Sequence, residues 1–251
     1  MTVRIGQALP SFVEDPEIPI NVARAAESAE IDGVFVYDHL WRGDPPNRRP
    51  ALECFALLGA VAAETERVKV GTLVARATLR PPATLANAFA TTQRVSDGRL
   101  IAAIGSGDSQ SRAENEAFGL EFGSMVDRVN ALHDAVRACM TLNDFPVWVG
   151  GRAAQVREVV AIADGWNSWG TEPARFAEQA ALVREISPDA TLTWGGLARP
   201  LEEGAGALAD RLQPYVGAGA AWIILGPVDA GDPANSAVLG EVRARMNAPV
   251  V

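Results

Sequence analysis

The sequence is poor in the residues from which metal centres and disulfide frameworks are built. Its 251 residues include two histidines and two cysteines, and Cys54 and Cys139 lie far apart in the chain. Zinc and iron sites normally use several His, Cys or carboxylate ligands at fixed spacing, so a metal centre is not expected. A disulfide framework is not expected either, and a reducing cytoplasm fits this cysteine usage.

Long apolar runs and positive charge are also scarce. No apolar run approaches the roughly 18 to 20 residues that a membrane-spanning helix needs. The start, MTVRIGQALP, has no long apolar run behind a basic segment, so we expect no signal peptide. The net charge is −9 and Lys69 is the only lysine. An acidic surface disfavours nucleic acid and anionic membranes as partners.

What is present is a regular alternation of strand-like and helix-like segments. Short apolar runs, typical of strands covered on both faces, are separated by segments with apolar residues at helical spacing. Eight strands are predicted, at residues 3–9, 33–38, 68–75, 99–107, 146–151, 164–170, 191–198 and 220–227. Helices are predicted at residues 16–29, 51–64 and 81–95, then in stretches that end near 142, 163, 185 and 216, with one more to close the chain.

Eight strand–helix pairs in succession imply parallel strands joined by helical crossovers. We therefore predict an α/β fold, a compact single-domain (β/α)8 TIM barrel over residues 1–251 without large insertion segments. A doubly wound open sheet is the alternative, but it rarely needs eight units of this evenness. Active sites of such barrels lie at the carboxyl ends of the strands, so the residues that follow each strand are the candidates.

The second predicted strand ends in polar and aromatic residues, in the stretch VFVYDHLW. Asp38, His39 and Trp41 are therefore expected at the mouth of the barrel. An imidazole titrates near neutrality and suits proton transfer, although a packed histidine bonded to backbone is the alternative for His39. Aromatic faces stack on planar ligands, so Trp41, Trp166 and Trp169 could wall such a ligand; the last two could equally belong to the core.

Two glycine-rich segments follow later strands. GSGDSQS begins with Gly105, Ser106 and Gly107 and lacks the third glycine of a dinucleotide fingerprint. It is interpreted as a loop that comes close to a ligand or as a simple turn.

The second segment, WVGGRAAQVREV, ends a strand in Gly150 and Gly151 and is predicted to begin a helix immediately. Amides at a helix start bind anions, and Arg152 adds a positive charge. A phosphate site is the favoured interpretation, since phosphate sites of α/β barrels recur late in the barrel. A tight turn without a ligand is the alternative.

Three stretches together carry a family resemblance: GVFVYDHLW, ERVKVGTLVARATLRPPATLANAFATTQRVSDGRLIAAIGSGD and PVWVGGRAAQVREVVAIADGWNSWG. They resemble the bacterial luciferase-like monooxygenases, and are most similar to the branch that uses the deazaflavin coenzyme F420. The similarity covers residues 3–185, and the strand count extends it to the end. It implies an oxidoreductase that transfers a hydride between the deazaflavin and a small organic substrate.

The resemblance also implies roles for individual residues. His39 would be the acid/base at the redox ring, with Asp38 beside it, and Asp108 would stand where sugar-phosphate-oxidising relatives place a glutamate as proton donor. A bulge with a non-prolyl cis peptide would lie behind the ring, and the 150–153 loop would hold the coenzyme phosphate. The coenzyme-binding residues would be Trp41, Leu73, Val74, Arg76, Gly105, Ser106, Gly107, Gly150, Gly151, Arg152 and Ala153.

Two other functions remain open at this point. A monooxygenase of the same family would place FMN in the same phosphate site, and a non-catalytic barrel would keep the fold without turnover. Segments that family members commonly carry before the fifth and after the seventh strand are absent here, so the substrate is not carried over. By analogy with the family, a homodimer is expected through the helices at 51–64 and 82–95.

Overall fold

The short apolar runs of the sequence form parallel β-strands that close into a barrel. The computed structural model describes residues 2–43, 48–108, 111–142 and 144–248, so Ser109 and Gln110 of the GSGDSQS stretch lie outside the described residues. Within these ranges the strands are β1 (Arg4–Ala8), β2 (Gly33–Val36), β3 (Trp41–Arg42), β4 (Arg49–Pro50), β5 (Lys69–Thr72), β6 (Ala75–Arg76), β7 (Leu100–Gly105), β8 (Val147–Gly150), β9 (Gly165–Trp169), β10 (Thr191–Ala198) and β11 (Trp222–Pro227). The helices are α1 (Glu17–Ser28), α2 (Cys54–Ala63), α3 (Pro82–Val95), α4 (Ser111–Ala117), α5 (Met125–Met140), α6 (Arg157–Val160), α7 (Pro173–Ile186), α8 (Pro200–Gly217) and α9 (Ala234–Met246).

Eight strand positions surround the barrel axis. The sheet runs in the order β5-β2-β1-β11-β10-β9-β8-β7-β6, and a further pairing of β5 with β7 closes it. The strands β5 and β6 occupy one position in the barrel. Both pair with β7, β5 at Leu100 and β6 at Ile104. The predicted (β/α)8 barrel is therefore confirmed. Outside it, β3 and β4 form a short antiparallel ribbon.

Helix starts follow local signals in the sequence. Pro82, Pro173 and Pro200 each stand at the first turn of a helix, where the missing N–H of proline costs nothing. At the start of α5 the side chain of Ser124 accepts from the amide of Asp127, whose carboxylate accepts from the amide of Ser124. This capping box satisfies two backbone donors that the helix itself leaves free.

Two helix predictions need correction. The long helical stretch that ends near residue 142 is two helices, α4 and α5, because Gly119 and Gly123 between them adopt φ values of 69° and 69°, which an α-helix cannot contain. The helix predicted directly after Gly151 is absent from that position. Residues 152–156 form turns, and α6 covers only Arg157–Val160.

Large aromatic side chains fill the inside of the barrel. The rings of Phe35, Trp148 and Trp222 pack against one another with centroids 5.6–6.1 Å apart. A Cβ at Gly6 or Gly71 would lie 2.7 Å or 2.8 Å from the Phe35 ring, so bare backbone makes room for it. The open space lies at the carboxyl ends of the strands. None of the helices in the described ranges is long and apolar enough to cross a membrane.

Candidate active site

A cavity of about 1040 Å³ opens at the carboxyl ends of the barrel strands. Small-molecule sites usually measure roughly 300–1,000 Å³, so this one can take a large ligand. Asp38 and Ala153 lie outside its lining, whereas the other predicted site residues line it: His39, Trp41, Leu73, Val74, Arg76, Gly105, Ser106, Gly107, Asp108, Gly150, Gly151 and Arg152.

The floor of the cavity lies where β5 gives way to β6. The predicted third strand is interrupted here, and the peptide bond between Leu73 and Val74 is cis, as the family resemblance implied. The methyl groups of Val74 lie against the ends of β7 and β8, so a Cβ at Gly105 or at Gly150 would clash with them. The floor is therefore an apolar surface between two strand ends that carry no side chain.

Asp38 is buried below the cavity and belongs to an ion-pair network. Its carboxylate accepts hydrogen bonds of 2.7 Å and 3.1 Å from Arg80 and one of 2.8 Å from the amide of Arg76. Arg80 also donates to Glu53, which caps α2. Burial lowers the pKa of Arg80, but the hydrogen bond and charge of Asp38 outweigh it and raise the pKa overall. This placement gives Asp38 a role in holding the fold and does not bring it to a ligand in the cavity.

His39 meets a carboxylate that sequence reasoning missed. Its Nδ1 lies 2.8 Å from Oε1 of Glu114 in α4. Oε2 of Glu114 accepts from the amide of Leu40 at 3.3 Å and forms an ion pair of 2.7 Å with Nη2 of Arg76. The His39 side chain is 32% exposed and that of Glu114 only 6%. When Nδ1 donates to a carboxylate, the other ring nitrogen, Nε2, is left to exchange a proton with a ligand.

The surroundings of Glu114 keep it charged. Burial raises the pKa of its carboxyl group, but the hydrogen bond and charge of His39, the charge of Arg76 and the amide of Leu40 lower it, and the net direction is down. No local spacing could have revealed this residue, because it stands 75 positions from His39. The one usable signal is that α4 follows a strand whose end lies at the same mouth.

Arg76 lines the cavity, but its guanidinium is occupied by the protein. Nε donates to the backbone oxygen of Asp38 at 2.8 Å, and Nη1 donates to Oδ1 of Asn115 at 3.1 Å. Nη2 faces Glu114 as a close ion pair whose angles fall outside hydrogen-bond geometry. Arg76 therefore balances the charge of Glu114 and has little left with which to hold a coenzyme.

Asp108 stands at the exposed rim of the cavity. Its Oδ1 accepts from the amide and the hydroxyl of Ser111, at 3.0 Å and 3.1 Å. It therefore fastens the first turn of α4, the helix that carries Glu114. The role of proton donor that the resemblance implied for Asp108 stays a prediction.

The loop at residues 150–153 is built differently from the predicted helix start. The amide of Gly151 donates to the backbone oxygen of Asn167 at 3.3 Å, and the amide of the buried Ala153 donates to Oε1 of Gln179 at 3.1 Å. Two of the amides expected to hold an anion are thus used within the protein. Arg152 remains, exposed and without an ion pair to any described residue, beside the polar side chains of Ser168, Thr171 and Gln179.

Another part of the cavity lining consists of Phe12, Tyr37, Trp169 and Leu197, here called the aromatic wall. The Phe12 and Tyr37 rings stack at 5.9 Å, and the Trp169 ring meets Tyr37 edge-on, also at 5.9 Å. Trp169 is 41% exposed, whereas Trp166 is fully buried. Of the two possibilities left open for these tryptophans, Trp169 lines the cavity and Trp166 belongs to the core.

The family model described as luciferase-like monooxygenase matches residues 6–193. The chain therefore belongs to the luciferase-like monooxygenase family.

Its relatives include two F420-dependent glucose-6-phosphate dehydrogenases. The protein of Beutenbergia cavernae is 38% identical over 130 residues, which is 51% of this chain and 35% of the relative. That of Nakamurella multipartita is 33% identical over 153 residues, 60% of this chain and 42% of the relative. The matched region therefore spans less than half the length of these relatives.

Solved structures share the fold across nearly the whole chain. An F420-dependent secondary alcohol dehydrogenase in complex with an F420–acetone adduct superposes with a TM-score of 0.82 at 16% identity, covering 99% of this chain and 100% of that one. The oxygenating constituent of 3,6-diketocamphane monooxygenase from Pseudomonas putida, in complex with FMN, gives 0.74 at 11% identity, covering 98% of each chain. At these identities the likeness shows the fold alone.

Proposed function

We propose that this chain is an F420-dependent oxidoreductase that transfers a hydride between the deazaflavin and a small organic substrate. The observation that carries the proposal is the His39–Glu114 pair, 2.8 Å apart, at the side of a cavity whose floor is the apolar surface of Val74. The relatives named above as F420-dependent support the choice of coenzyme.

The residues present fit this coenzyme. The Val74 floor between Gly105 and Gly150 offers a smooth apolar support for a planar ring, and Arg152 offers a positive charge for a phosphate at the edge of the same cavity. When bound, F420 supplies the ring carbon that takes or gives the hydride, which is chemistry that no side chain provides.

The protein's own part is to move the proton. Nε2 of His39 would take the hydroxyl proton of an alcohol as it is oxidised, or return it when a carbonyl is reduced. Glu114 accepts the hydrogen bond from Nδ1, which orients the ring and stabilises the imidazolium that forms. Arg76 holds Glu114 in its charged form.

A fluorescence titration with oxidised F420 tests this function. We expect binding on the micromolar scale, and we expect His39→Ala to abolish turnover while its F420 affinity stays within a few-fold of the parent, since His39 lies at the side of the floor. The same titration with FMN tests the flavin alternative. A folded protein that binds neither coenzyme would be the non-catalytic barrel and would refute the proposal.

A homodimer in the cytoplasm is part of the same proposal. The cysteines, Cys54 and Cys139, are buried free thiols, which suits a reducing compartment. The proposed interface is the outer surface of α2 and α3. Light scattering on a size-exclusion column decides it: a mass near twice the 26.5 kDa of the chain is expected, and a single-chain mass contradicts it.

A further inference from the structure

The two sides of the cavity differ in chemistry, and this difference bears on the substrate. His39, Glu114 and Arg152 supply charge or protons to the cavity. The four side chains of the aromatic wall carry no charge. A cation borders the wall at one point, because the guanidinium of Arg42 lies over the Phe12 ring at 5.2 Å and is exposed at the mouth.

The wall rests on strand ends that lack side chains. A Cβ at Gly195 of β10 would lie 2.6 Å from the Trp169 ring, and a Cβ at Gly226 of β11 would lie 2.8 Å from the Tyr37 hydroxyl. The same Cβ position at Gly226 would lie 3.4 Å from the side chains of both Trp169 and Leu197. These side chains therefore converge on one place because the strands beneath them are bare.

Two members of the wall present apolar surface to solvent. Trp169 is 41% exposed and Leu197 is 54% exposed. Large apolar groups that converge at a cavity are typical of a surface that a ligand covers, because burying them removes unfavourable contact with water.

The Tyr37 hydroxyl is the polar group set within this wall. It forms no hydrogen bond with any residue in the described part of the chain. Burial raises the pKa of this phenol well above 10, despite the nearby charge of Arg42, so the hydroxyl keeps its proton and can donate. The Phe12 ring lies 5.9 Å from the Tyr37 ring and 5.7 Å from the His39 ring, so His39 borders the wall at Phe12.

We propose that the aromatic wall binds the substrate and selects an uncharged alcohol or ketone with an apolar body, whose oxygen lies between the Tyr37 hydroxyl and His39. This inference rests on the proposed function. In the oxidative direction the carbon–hydrogen bond of the alcohol breaks and its electron pair leaves as hydride to F420. The hydroxyl proton passes to His39, and the ketone oxygen then accepts from Tyr37.

Ligand-observed NMR titration with cyclohexanone and with glucose 6-phosphate tests the inference, with and without F420. Glucose 6-phosphate is the substrate named for the relatives of similar sequence. We expect saturable cyclohexanone binding in the millimolar range and glucose 6-phosphate at least about tenfold weaker, since burying its hydroxyl and phosphate groups against apolar side chains leaves them without hydrogen-bond partners. Tighter binding of the sugar phosphate, or no saturation by cyclohexanone below about 10 mM, would overturn the inference.

Variants locate the binding on the wall. Leu197→Lys should weaken cyclohexanone binding about tenfold, because it places a charge against an apolar ligand. Leu201→Lys is the matched control, since Leu201 is 48% exposed and lies outside the cavity lining, and it should change the affinity less than twofold. Equal effects of the two substitutions would place the ligand elsewhere and contradict the proposal.

Tyr37→Phe removes the hydroxyl and keeps the ring. Loss of one hydrogen bond should weaken cyclohexanone binding about three- to tenfold and leave the affinity for methylcyclohexane, which lacks the oxygen, unchanged. Unchanged cyclohexanone affinity would refute the role of Tyr37. F420 binding is measured separately in every sample, so a failure of the coenzyme proposal and a failure of the substrate inference give different results.

Discussion

The two sides of the cavity are stabilised in different ways. On the charged side, Glu114 is 6% exposed and Arg76 is 3% exposed, and each satisfies the charge of the other. On the aromatic wall, Trp169 is 41% exposed and meets Tyr37 edge-on, and Leu197 is 54% exposed. Glu114 and Arg76 are therefore tied to folding as well as to function, whereas Trp169 and Leu197 can be changed at small cost to folding.

The largest loss of stability is expected from Glu114→Ala, on the charged side of the cavity. It leaves the Arg76 guanidinium buried without its counter-ion, so we expect the free energy of unfolding to fall by about 3–5 kcal/mol. Urea denaturation followed by circular dichroism measures this loss.

The control for this variant lies on the same helix. Glu116→Ala removes an ion pair with Arg112 at the surface, where the Glu116 side chain is 61% exposed and that of Arg112 is 56% exposed. It should change the free energy of unfolding by less than about 0.5 kcal/mol. Similar losses for the two variants would mean that the buried pair of Glu114 and Arg76 stabilises the fold no more than an exposed ion pair does.

Asp38→Asn is expected to have the next largest effect. The asparagine side chain is uncharged and has one acceptor oxygen, so it cannot accept both hydrogen bonds from Arg80 or balance the charge of Arg80. We therefore expect the free energy of unfolding to fall by about 1–3 kcal/mol. At a temperature where the variant is folded, its F420 affinity should match that of the parent, because Asp38 lies outside the cavity lining. Full stability with lost turnover would instead restore Asp38 to the catalytic place beside the redox ring that the family resemblance implied.

These two predictions show where sequence reasoning succeeded and where it failed. Apolar runs such as those of β7 and β11 are buried at every position, so these runs located the strands, and their alternation with helical segments predicted the barrel. The cavity lining followed, because residues after each strand share one face. The partners of those residues did not follow: Glu114 meets His39, and Arg80 meets Asp38, only through the closed barrel.

The prediction for residues 150–153 failed for a different reason. Its glycines and Arg152 predicted a helix start with free amides, but α6 begins only at Arg157 and the amide of Ala153 donates to Gln179 of α7. A long-range side-chain contact of this kind leaves no mark in the local sequence.

The smallest expected effect is a dependence of stability on pH. The pKa of Glu114 is below its ordinary value of 4.5 in the folded protein, so its contribution is complete above about pH 4.5 and disappears as the pH falls through the folded pKa. Glu114→Gln should therefore lose less stability than the parent between pH 5 and about pH 3. Thermal denaturation across that range measures it, and parallel curves for the two proteins would show that Glu114 is not the group responsible.

The most direct test of the central claim is equilibrium titration with oxidised F420, followed by the fluorescence of the coenzyme, for the parent chain and for Arg152→Ala. We predict micromolar binding by the parent and about tenfold weaker binding by Arg152→Ala, because the variant lacks the guanidinium that we propose holds the coenzyme phosphate. A cooperatively folded parent chain that leaves the F420 signal unchanged, or that binds FMN in its place, would contradict the account.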